Sequence, residues 1–520
     1  MIGLIRDKLT IVARFNDEFR LFAFFAIYLA LWTLLAAYLP QSMEIDSTEQ
    51  VVWSQSWQWG YYKHPPLPSA LLHVFNVLFG GPSLGLIAFV AQGCSLVALF
   101  YVWLLAKQML PKKLAITAVI ITSLIAYHNF RALTFNHNTV SLPFTSAAWY
   151  YFYCCIRYPN KISNWLLLGF ACGFAMLTKY SAVMILASIF VYIIWQRLWT
   201  KPIIRGLVHS AGVFIFLFSP NIVWLTENNW LPFTYLHDAL TVSKKRFDVV
   251  PALFGNQLIR LSFMLPTLLG VRHLSKKGTI NAIKYKAFVL PNDNDDLHYL
   301  LAIQFTPLIL SVMPLLLTGW VVNSNWVSAF FLPSGILVTK CFLCRLEETQ
   351  LLKSTCRFAS ITHAAILVIF FLGAVIYPSF IGKKDRSNFP NKALAKKITG
   401  IWYEHQQTPL AIIISDTWTG GNVLLQVRPE PTLLIDNDPQ KSPWVNRHDL
   451  ATCGAFVIFM KSETISNNYS HLYGQATSKG EFFLTWGKAP RGEAVQFIWA
   501  IKPPIPSEGP CRYTQLQDDS

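Results

Sequence analysis

Long apolar runs separated by short polar segments dominate the first 380 residues of the chain. Most of these runs approach the roughly 20 residues that an α-helix needs to cross a lipid bilayer. Several contain Pro or Gly or are short, so the helix count can differ by two. The predicted spans are 19–39, 81–106, 114–127, 139–156, 164–178, 181–196, 206–224, 252–270, 299–318, 326–344 and 359–378. We therefore expect a polytopic α-helical membrane protein with about eleven transmembrane helices.

The pattern changes after residue 380, where short β-branched and aromatic runs alternate with polar turns. Such runs are typical of β-strands. Strands are predicted at 411–415, 432–435, 455–460 and 495–500, and an amphipathic helix is predicted over 391–405. The sequence thus predicts a membrane domain over residues 1–380 and a soluble α/β domain over residues 381–520.

The distribution of basic residues predicts the orientation. Basic residues precede the first apolar run and follow the second, fourth, sixth, eighth and tenth runs, and cytoplasmic loops are the ones that carry such an excess. The N-terminus is then cytoplasmic, and an odd number of helices places the C-terminal domain outside. One cluster breaks the rule, because Lys244, Lys245 and Arg246 fall on the outer side.

Composition agrees with a membrane protein. The chain is 53% hydrophobic and 13% charged, whereas a soluble domain carries about 25% charged residues. The net charge of +16 follows from the inner loops, so we expect no nucleic-acid partner. Cys453 and Cys511 fall in the outer domain, where a disulfide is permitted, but the sequence leaves their pairing open.

The loop over residues 41–66 is unusual because it places acids at a membrane surface, where charge is costly. Its acids are Glu44, Asp46 and Glu49, and an aromatic run and Lys63-His64-Pro65-Pro66 follow. Ser47 or Thr48 is expected to cap a helix that runs to about Gln58. A carboxylate near that helix start can act as a general base on an acceptor hydroxyl, amine or amide. The same carboxylate can equally be a cap or a solvated acid.

The motifs of this loop resemble those of a known family. The pattern Asp46-x-x-Glu49-Gln50, followed by WSQ at 53–55 and WGYYKHPPL at 59–67, is similar to the first periplasmic loop of membrane glycosyltransferases of the family 39 and 83 type. These include protein O-mannosyltransferases and the aminoarabinose transferase that modifies lipid A. Weaker matches lie at 177–181 and 325–333, and the resemblance covers roughly residues 18–345.

The resemblance implies a GT-C fold in the inner membrane of a bacterium, with the soluble domain in the periplasm. It also implies a polyprenyl-phosphate-linked sugar donor and an acceptor reached from the outer leaflet, either a glycolipid such as lipid A, another glycan or a protein. In that scheme the acid at Asp46 assists acceptor attack, and cationic side chains neutralise the leaving lipid phosphate.

The candidate residues follow from this scheme. The catalytic candidates are Asp46 and Glu49. The candidates for contact with the donor phosphate or lipid are Lys63, His64, Arg131, Lys179, Lys244, Lys245 and Arg246. The candidates for contact with the sugar or acceptor are Tyr61, Tyr62, Asn138, His237 and Asp238. Lys63 and His64 can exchange roles, and the basic cluster at 244–246 can instead bind anionic headgroups. No cofactor or metal is expected, although His237 and Asp238 leave a divalent cation as an alternative.

The chain also departs from the family pattern. Relatives often carry adjacent Asp and Glu, but here Ser47 follows Asp46, and a second family acid is replaced by Asn138. An amide cannot act as a base, so the prediction depends on Asp46. The main alternative is a transporter or flippase for a polar lipid, which would more commonly show paired, broken helices and charges at mid-membrane. A protein that has kept the fold and lost activity is the third possibility.

Overall fold

The computed structural model describes residues 17–239, 246–281, 293–318, 324–376, 382, 384–461, 467–487, 491–505, 509 and 511–513. Its contacts divide the chain into two compact units. The helical unit comprises residues 1–34, 91–133 and 137–367, and the mixed unit comprises residues 35–90, 134–136 and 368–520. The domain boundary at residue 380 stays a prediction.

Most of the predicted apolar runs contain helices, and further helices lie between and after them. In chain order they are α1 (Asp17–Tyr38), α2 (Ile45–Trp53), α3 (Leu67–Phe79), α4 (Leu84–Met109), α5 (Lys112–Ser123), α6 (His137–Arg157), α7 (Ile162–Thr178), α8 (Val183–Trp195), α9 (Lys201–Glu227), α10 (Leu231–Ala239), α11 (Arg246–Leu261), α12 (Leu265–Lys276), α13 (Asp293–Thr318), α14 (Ser334–Val338), α15 (Glu348–Phe371), α16 (Asn391–His405), α17 (Thr417–Leu424), α18 (Arg447–Cys453) and α19 (Asn467–Gln475). Helix α14 continues into a π-helical turn, Thr339–Leu343.

Within the described residues, six helices are long and apolar enough to cross a membrane, or seven if the bent segment from Lys112 to Leu133 forms one span. The count of eleven is therefore not confirmed. The difference arises because several predicted spans form short elements, such as α7 with 17 residues and α8 with 13. The polytopic helical fold itself is confirmed.

A buried charge cluster ties together three helices of the helical unit. Asp296 of α13 is only 2% exposed. Its carboxylate lies 2.7 Å from the guanidinium of Arg157 and 3.3 Å from the ammonium of Lys340. The hydroxyl of Tyr153 donates to the same carboxylate at 2.7 Å. Because buried charges are costly without partners, this cluster fixes the relative positions of α6, α13 and the π-helical turn.

The mixed unit contains a five-stranded sheet, which confirms the predicted α/β character. Its strands are β1 (Ile412–Ser415), β2 (Thr432–Ile435), β3 (Ala455–Met460), β4 (Ser478–Trp486) and β5 (Glu493–Lys502). The order is β2-β1-β3-β5-β4. Strand β1 pairs in parallel with β2 and β3, whereas β5 pairs antiparallel with β3 and β4. Cys453 and Cys511 form a disulfide in this unit.

The loop over residues 41–66 packs against the sheet's helices within the mixed unit. The backbone N–H of Met43 donates to the Asn422 side chain at 2.8 Å, and the Trp418 indole donates to the carbonyl of Met43 at 3.0 Å. Gln55 donates to Glu430 at 3.0 Å and accepts from the N–H of Leu433 at 3.2 Å. The conformation of this acidic loop therefore depends on residues about 380 positions further along the chain.

Candidate functional site

Asp46 lies in the first turn of α2 and is half-buried. The side-chain amide of Asn136 donates to its Oδ2 at 2.9 Å. The positive end of the helix dipole favours a carboxylate at this position, and the amide fixes its orientation. A carboxylate that is oriented and partly exposed can be reached by an acceptor, as a general base must be, and the catalytic role of Asp46 stays a prediction.

The start and end of α2 differ from the sequence prediction. The helix begins at Ile45 and ends at Trp53, so the predicted cap at Ser47 or Thr48 and the extension to Gln58 are wrong. The Ser47 hydroxyl instead accepts from the backbone N–H of Phe135 at 2.9 Å. Near the end of the helix, the hydroxyl of Tyr61 lies 3.0 Å from the carbonyl oxygen of Trp53 and 2.7 Å from that of Ser56. These contacts stabilise a turn where the helix was expected to continue.

Glu49 follows Asp46 by three residues, so both carboxylates lie on one side of α2. Unlike Asp46, Glu49 is buried and forms an ion pair with Lys63, with 2.5 Å between the ammonium and Oε2. Burial raises the pKa of Glu49, whereas the charge and hydrogen bond of Lys63 act in the opposite direction. Glu49 is therefore placed to hold Lys63, and its catalytic role stays a prediction.

Three aromatic residues of the motif, Trp53, Tyr61 and Tyr62, form a buried cluster. Trp53 and Tyr61 lie parallel with ring centroids 4.7 Å apart. Tyr62 and His64 pack edge-on against Trp53, at 5.7 and 6.2 Å. The side chain of Trp53 is completely buried. The contacts of Tyr61 and Tyr62 with a sugar or acceptor stay predictions.

Tyr62 also has two lysines beside its ring. The ammonium of Lys63 lies 5.1 Å from the ring centroid and that of Lys441 lies 5.9 Å away. Lys441 is itself paired with Asp436 at 2.7 Å, in the turn that follows β2. Sequence reasoning missed Lys441, because nothing in the sequence pairs this turn with a loop almost 380 residues earlier.

In the helical unit, the amide that replaces the second family acid has a defined partner. The ammonium of Lys179 donates to Oδ1 of Asn138 at 2.7 Å. It also lies 5.3 Å from the ring centroid of Trp326. The weak motif matches around 177–181 and 325–333 therefore come together with Asn138. Lys179 is only 7% exposed, and the amide and the aromatic face orient its ammonium group.

A second cationic group of the helical unit was missed from the sequence. The Arg260 guanidinium donates to the hydroxyl of Tyr127, which donates to Gln257 at 2.8 Å. Arg131, a candidate from the sequence, also interacts electrostatically with this hydroxyl. The sequence does contain a signal for it, since Arg260 lies within the apolar run 252–270. An ionisable residue within a membrane segment suggests a functional site.

The other candidates are less well supported by contacts. His237 and Asp238 lie 3.3 Å apart, but their side chains are 78% and 73% exposed. In the part of the chain that the structure describes, no group of three His, Cys, Asp or Glu residues can hold a metal ion. Lys244 and Lys245 lie outside the described residues, as does the side chain of Arg246.

Comparison with solved structures identifies the fold. Over 92% of this chain, the structure is similar to 97% of ArnT from Cupriavidus metallidurans bound to undecaprenyl phosphate, with a TM-score of 0.60 at 12% identity. The apo state of the same protein gives a TM-score of 0.59 over 93% of this chain and 98% of that one, at 13% identity. The fold is of the GT-C type.

Comparison with protein sequences identifies the class. Residues 63–224 match the family described as dolichyl-phosphate-mannose-protein mannosyltransferase. The chain is a multi-pass membrane glycosyltransferase of the GT-C type. It is 25% identical to the lipopolysaccharide core galacturonosyltransferase RgtA of Rhizobium johnstonii, over 79% of this chain and 81% of that protein. It is also 22% identical to RgtB of the same organism, over 80% and 83%.

Proposed function

We propose that the protein transfers a sugar from a polyprenyl-phosphate donor to an acceptor on the periplasmic side of a bacterial inner membrane, with Asp46 as general base. The observation that carries this proposal is the Asp46 carboxylate, oriented by Asn136 at a helix start. The bound undecaprenyl phosphate of ArnT supports a donor of this kind.

The reaction requires one proton transfer and one displacement. Asp46 takes the proton of the acceptor hydroxyl, and the oxygen attacks the anomeric carbon of the sugar. The bond between that carbon and the phosphate oxygen breaks, and its electron pair leaves with the polyprenyl phosphate. Attack opposite the leaving group inverts the anomeric configuration. Positioned cations stabilise the charge that develops on the phosphate.

The contacts of each cation favour different roles. Lys63 is paired with Glu49, so we assign Glu49 as its positioning residue and Lys63 or His64 as a phosphate contact. Lys179 lies beside the Asn138 amide and the Trp326 ring, and we assign its ammonium group to contact with the donor phosphate. Arg131 and Arg260 are proposed as further contacts to the donor.

A lipopolysaccharide is the favoured acceptor, because RgtA and RgtB act on lipopolysaccharide core by name. Another glycan or a protein remains an alternative. The disulfide between Cys453 and Cys511 supports the periplasmic placement of the mixed unit, because disulfides persist in oxidising compartments.

The direct test compares the outer-membrane glycolipids of cells with and without the protein by mass spectrometry. The proposal expects a lipopolysaccharide species that loses the mass of one sugar residue when the protein is absent. The purified protein should also release polyprenyl phosphate only when acceptor is present. Movement of the intact donor across vesicles without a glycosylated product would support a transporter and contradict the proposal.

A further inference from the structure

A cavity of about 760 Å³ lies in the helical unit, between the first turns of three helices. Its volume falls within the range of about 300–1,000 Å³ that is usual for ligand sites. The charged residues of its lining are Asp17, Arg20, Lys113 and Lys353. Three cations and one anion give this lining a formal charge of +2.

The polarity of the cavity changes along the helices. Asp17, Lys113 and Thr349 belong to the first turns of α1, α5 and α15, whereas the lining residues further along these helices include Phe24 and Ile120. Seven residues separate the charged and apolar positions on α1 and on α5, which corresponds to about 10 Å of helix. The cavity therefore has a cationic rim and an apolar interior.

Two of the three rim cations, Lys113 and Lys353, are suited to an anionic ligand. Lys113 donates to the neutral hydroxyl of Thr349 at 2.7 Å. Among the described residues, no hydrogen bond or ion pair is assigned to the ammonium of Lys353, which is exposed. Arg20 lies 3.7 Å from Asp17. By contrast, Glu18 pairs with Lys107 and Lys112, which do not line the cavity.

We propose that this cavity binds an anionic phospholipid, with the phosphate between Lys113 and Lys353 and an acyl chain along Phe24 and Ile120. All three helix starts fall at the side that the basic residues assign to the cytoplasm, where anionic headgroups attract clustered Lys and Arg. A soluble anion would contact only the charged rim and leave the apolar interior unoccupied, so the gradient of polarity favours a lipid.

The test uses the full-length protein in nanodiscs that contain phosphatidylcholine alone or with phosphatidylglycerol. Native mass spectrometry counts the lipids that stay bound. K113Q/K353Q should bind phosphatidylglycerol about 10- to 30-fold more weakly. Each basic residue near an anionic surface raises the affinity by about three- to fivefold, and the variant removes two of them. K276Q/K277Q is the matched control, since these two lysines are exposed at the end of α12 and do not line the cavity.

A second variant tests the apolar part. Ser360 lines the cavity and is exposed. S360W should therefore obstruct the path of the acyl chain without disturbing the fold. It should reduce the amount of bound phosphatidylglycerol although both lysines are still present. Retention of the lipid by both K113Q/K353Q and S360W would overturn the proposal. An equal loss in K276Q/K277Q would overturn it too, because it would indicate a general effect of surface charge.

A competition with inorganic phosphate separates a lipid from a free anion. The proposal expects millimolar phosphate to leave bound phosphatidylglycerol unchanged, whereas displacement of the lipid would indicate a phosphate site and overturn it. None of these measurements depends on sugar transfer. The lipid site can therefore fail while the proposed function holds, and the reverse is also true.

Discussion

Replacing Gly421 with Ala tests whether the C-terminal part of the chain holds the acidic loop, and with it Asp46, in place. A Cβ atom at Gly421 in α17 would lie 2.3 Å from Cγ2 of Thr48 and 3.0 Å from Cγ2 of Val52, both in α2. Carbon atoms in ordinary contact are about 3.5–4.0 Å apart. The two helices would therefore have to separate by about 1 Å.

The surroundings give the added methyl group no other space. Thr48 and Val52 are both completely buried, so neither side chain can turn into solvent. Overpacking of this kind costs about 1–3 kcal/mol. Asp46 lies half a turn before Thr48 on the same helix, and a displacement of about 1 Å at a catalytic group can reduce the rate about 100-fold.

The assay measures sugar transfer and thermal unfolding of the purified full-length protein. We expect G421A to lose about 100-fold in transfer and to unfold at a lower temperature. G400A is the matched control, because Gly400 is a helical glycine of the same unit with nothing within 4 Å of the added atom. Alanine should stabilise that helix by about 1 kcal/mol. Equal activity and stability of G421A and G400A would refute the reasoning.

Three further changes test the packing and electrostatics of the two units. D296N should lower the unfolding temperature markedly, because removing one partner of a buried charge cluster costs about 3–5 kcal/mol. C453S/C511S should lose about 4 kcal/mol of stability in guanidinium unfolding, since the disulfide joins residues 58 positions apart. Burial raises the pKa of Glu430, so its contribution to stability is present at low pH and lost as the pH rises through that raised value. E430Q keeps an acceptor for Gln55 and should be more stable than the unchanged protein at pH 8, with a smaller difference at pH 4.5.

Each of these expectations has an outcome that contradicts it. An unchanged unfolding temperature for D296N would mean that the cluster does not contribute to stability. Equal unfolding of C453S/C511S and the unchanged protein would mean that the disulfide does not stabilise the mixed unit. A stability difference for E430Q that is the same at both pH values would exclude ionisation of Glu430 as its cause.

The local elements of the mixed unit were largely predictable from the sequence. The helix at 391–405 and the strands at 432–435 and 455–460 were predicted with the bounds that the structure gives. The two strands are short and almost entirely buried, and the helix buries one face. Strand β4 was missed because seven of its nine residues are at least partly exposed and its sequence begins with Ser-Lys-Gly-Glu. An edge strand of this composition lacks the apolar signal on which the prediction relied.

Only the candidate residues that belong to a recognisable motif could be predicted from the sequence. Asp46 and Lys63 were found because both belong to one continuous pattern. The pairing of Asp46 with Asn136, and of Lys179 with Asn138, depends on contacts between distant segments. Periodicity and spacing report local structure, so they cannot indicate which amide meets which charge.

Replacement of Asp46 by Asn tests the central claim most directly. D46N keeps the size of the side chain but cannot accept the proton, and loss of a general base reduces the rate about 100- to 10,000-fold. E44Q is the matched control, because Glu44 is an exposed acid of the same loop and its side chain forms no capping hydrogen bond with α2. The measurement is acceptor glycosylation under single-turnover conditions, with donor binding measured separately. The account predicts that D46N binds donor normally and fails to transfer the sugar, while E44Q remains active; full transfer by D46N would contradict it.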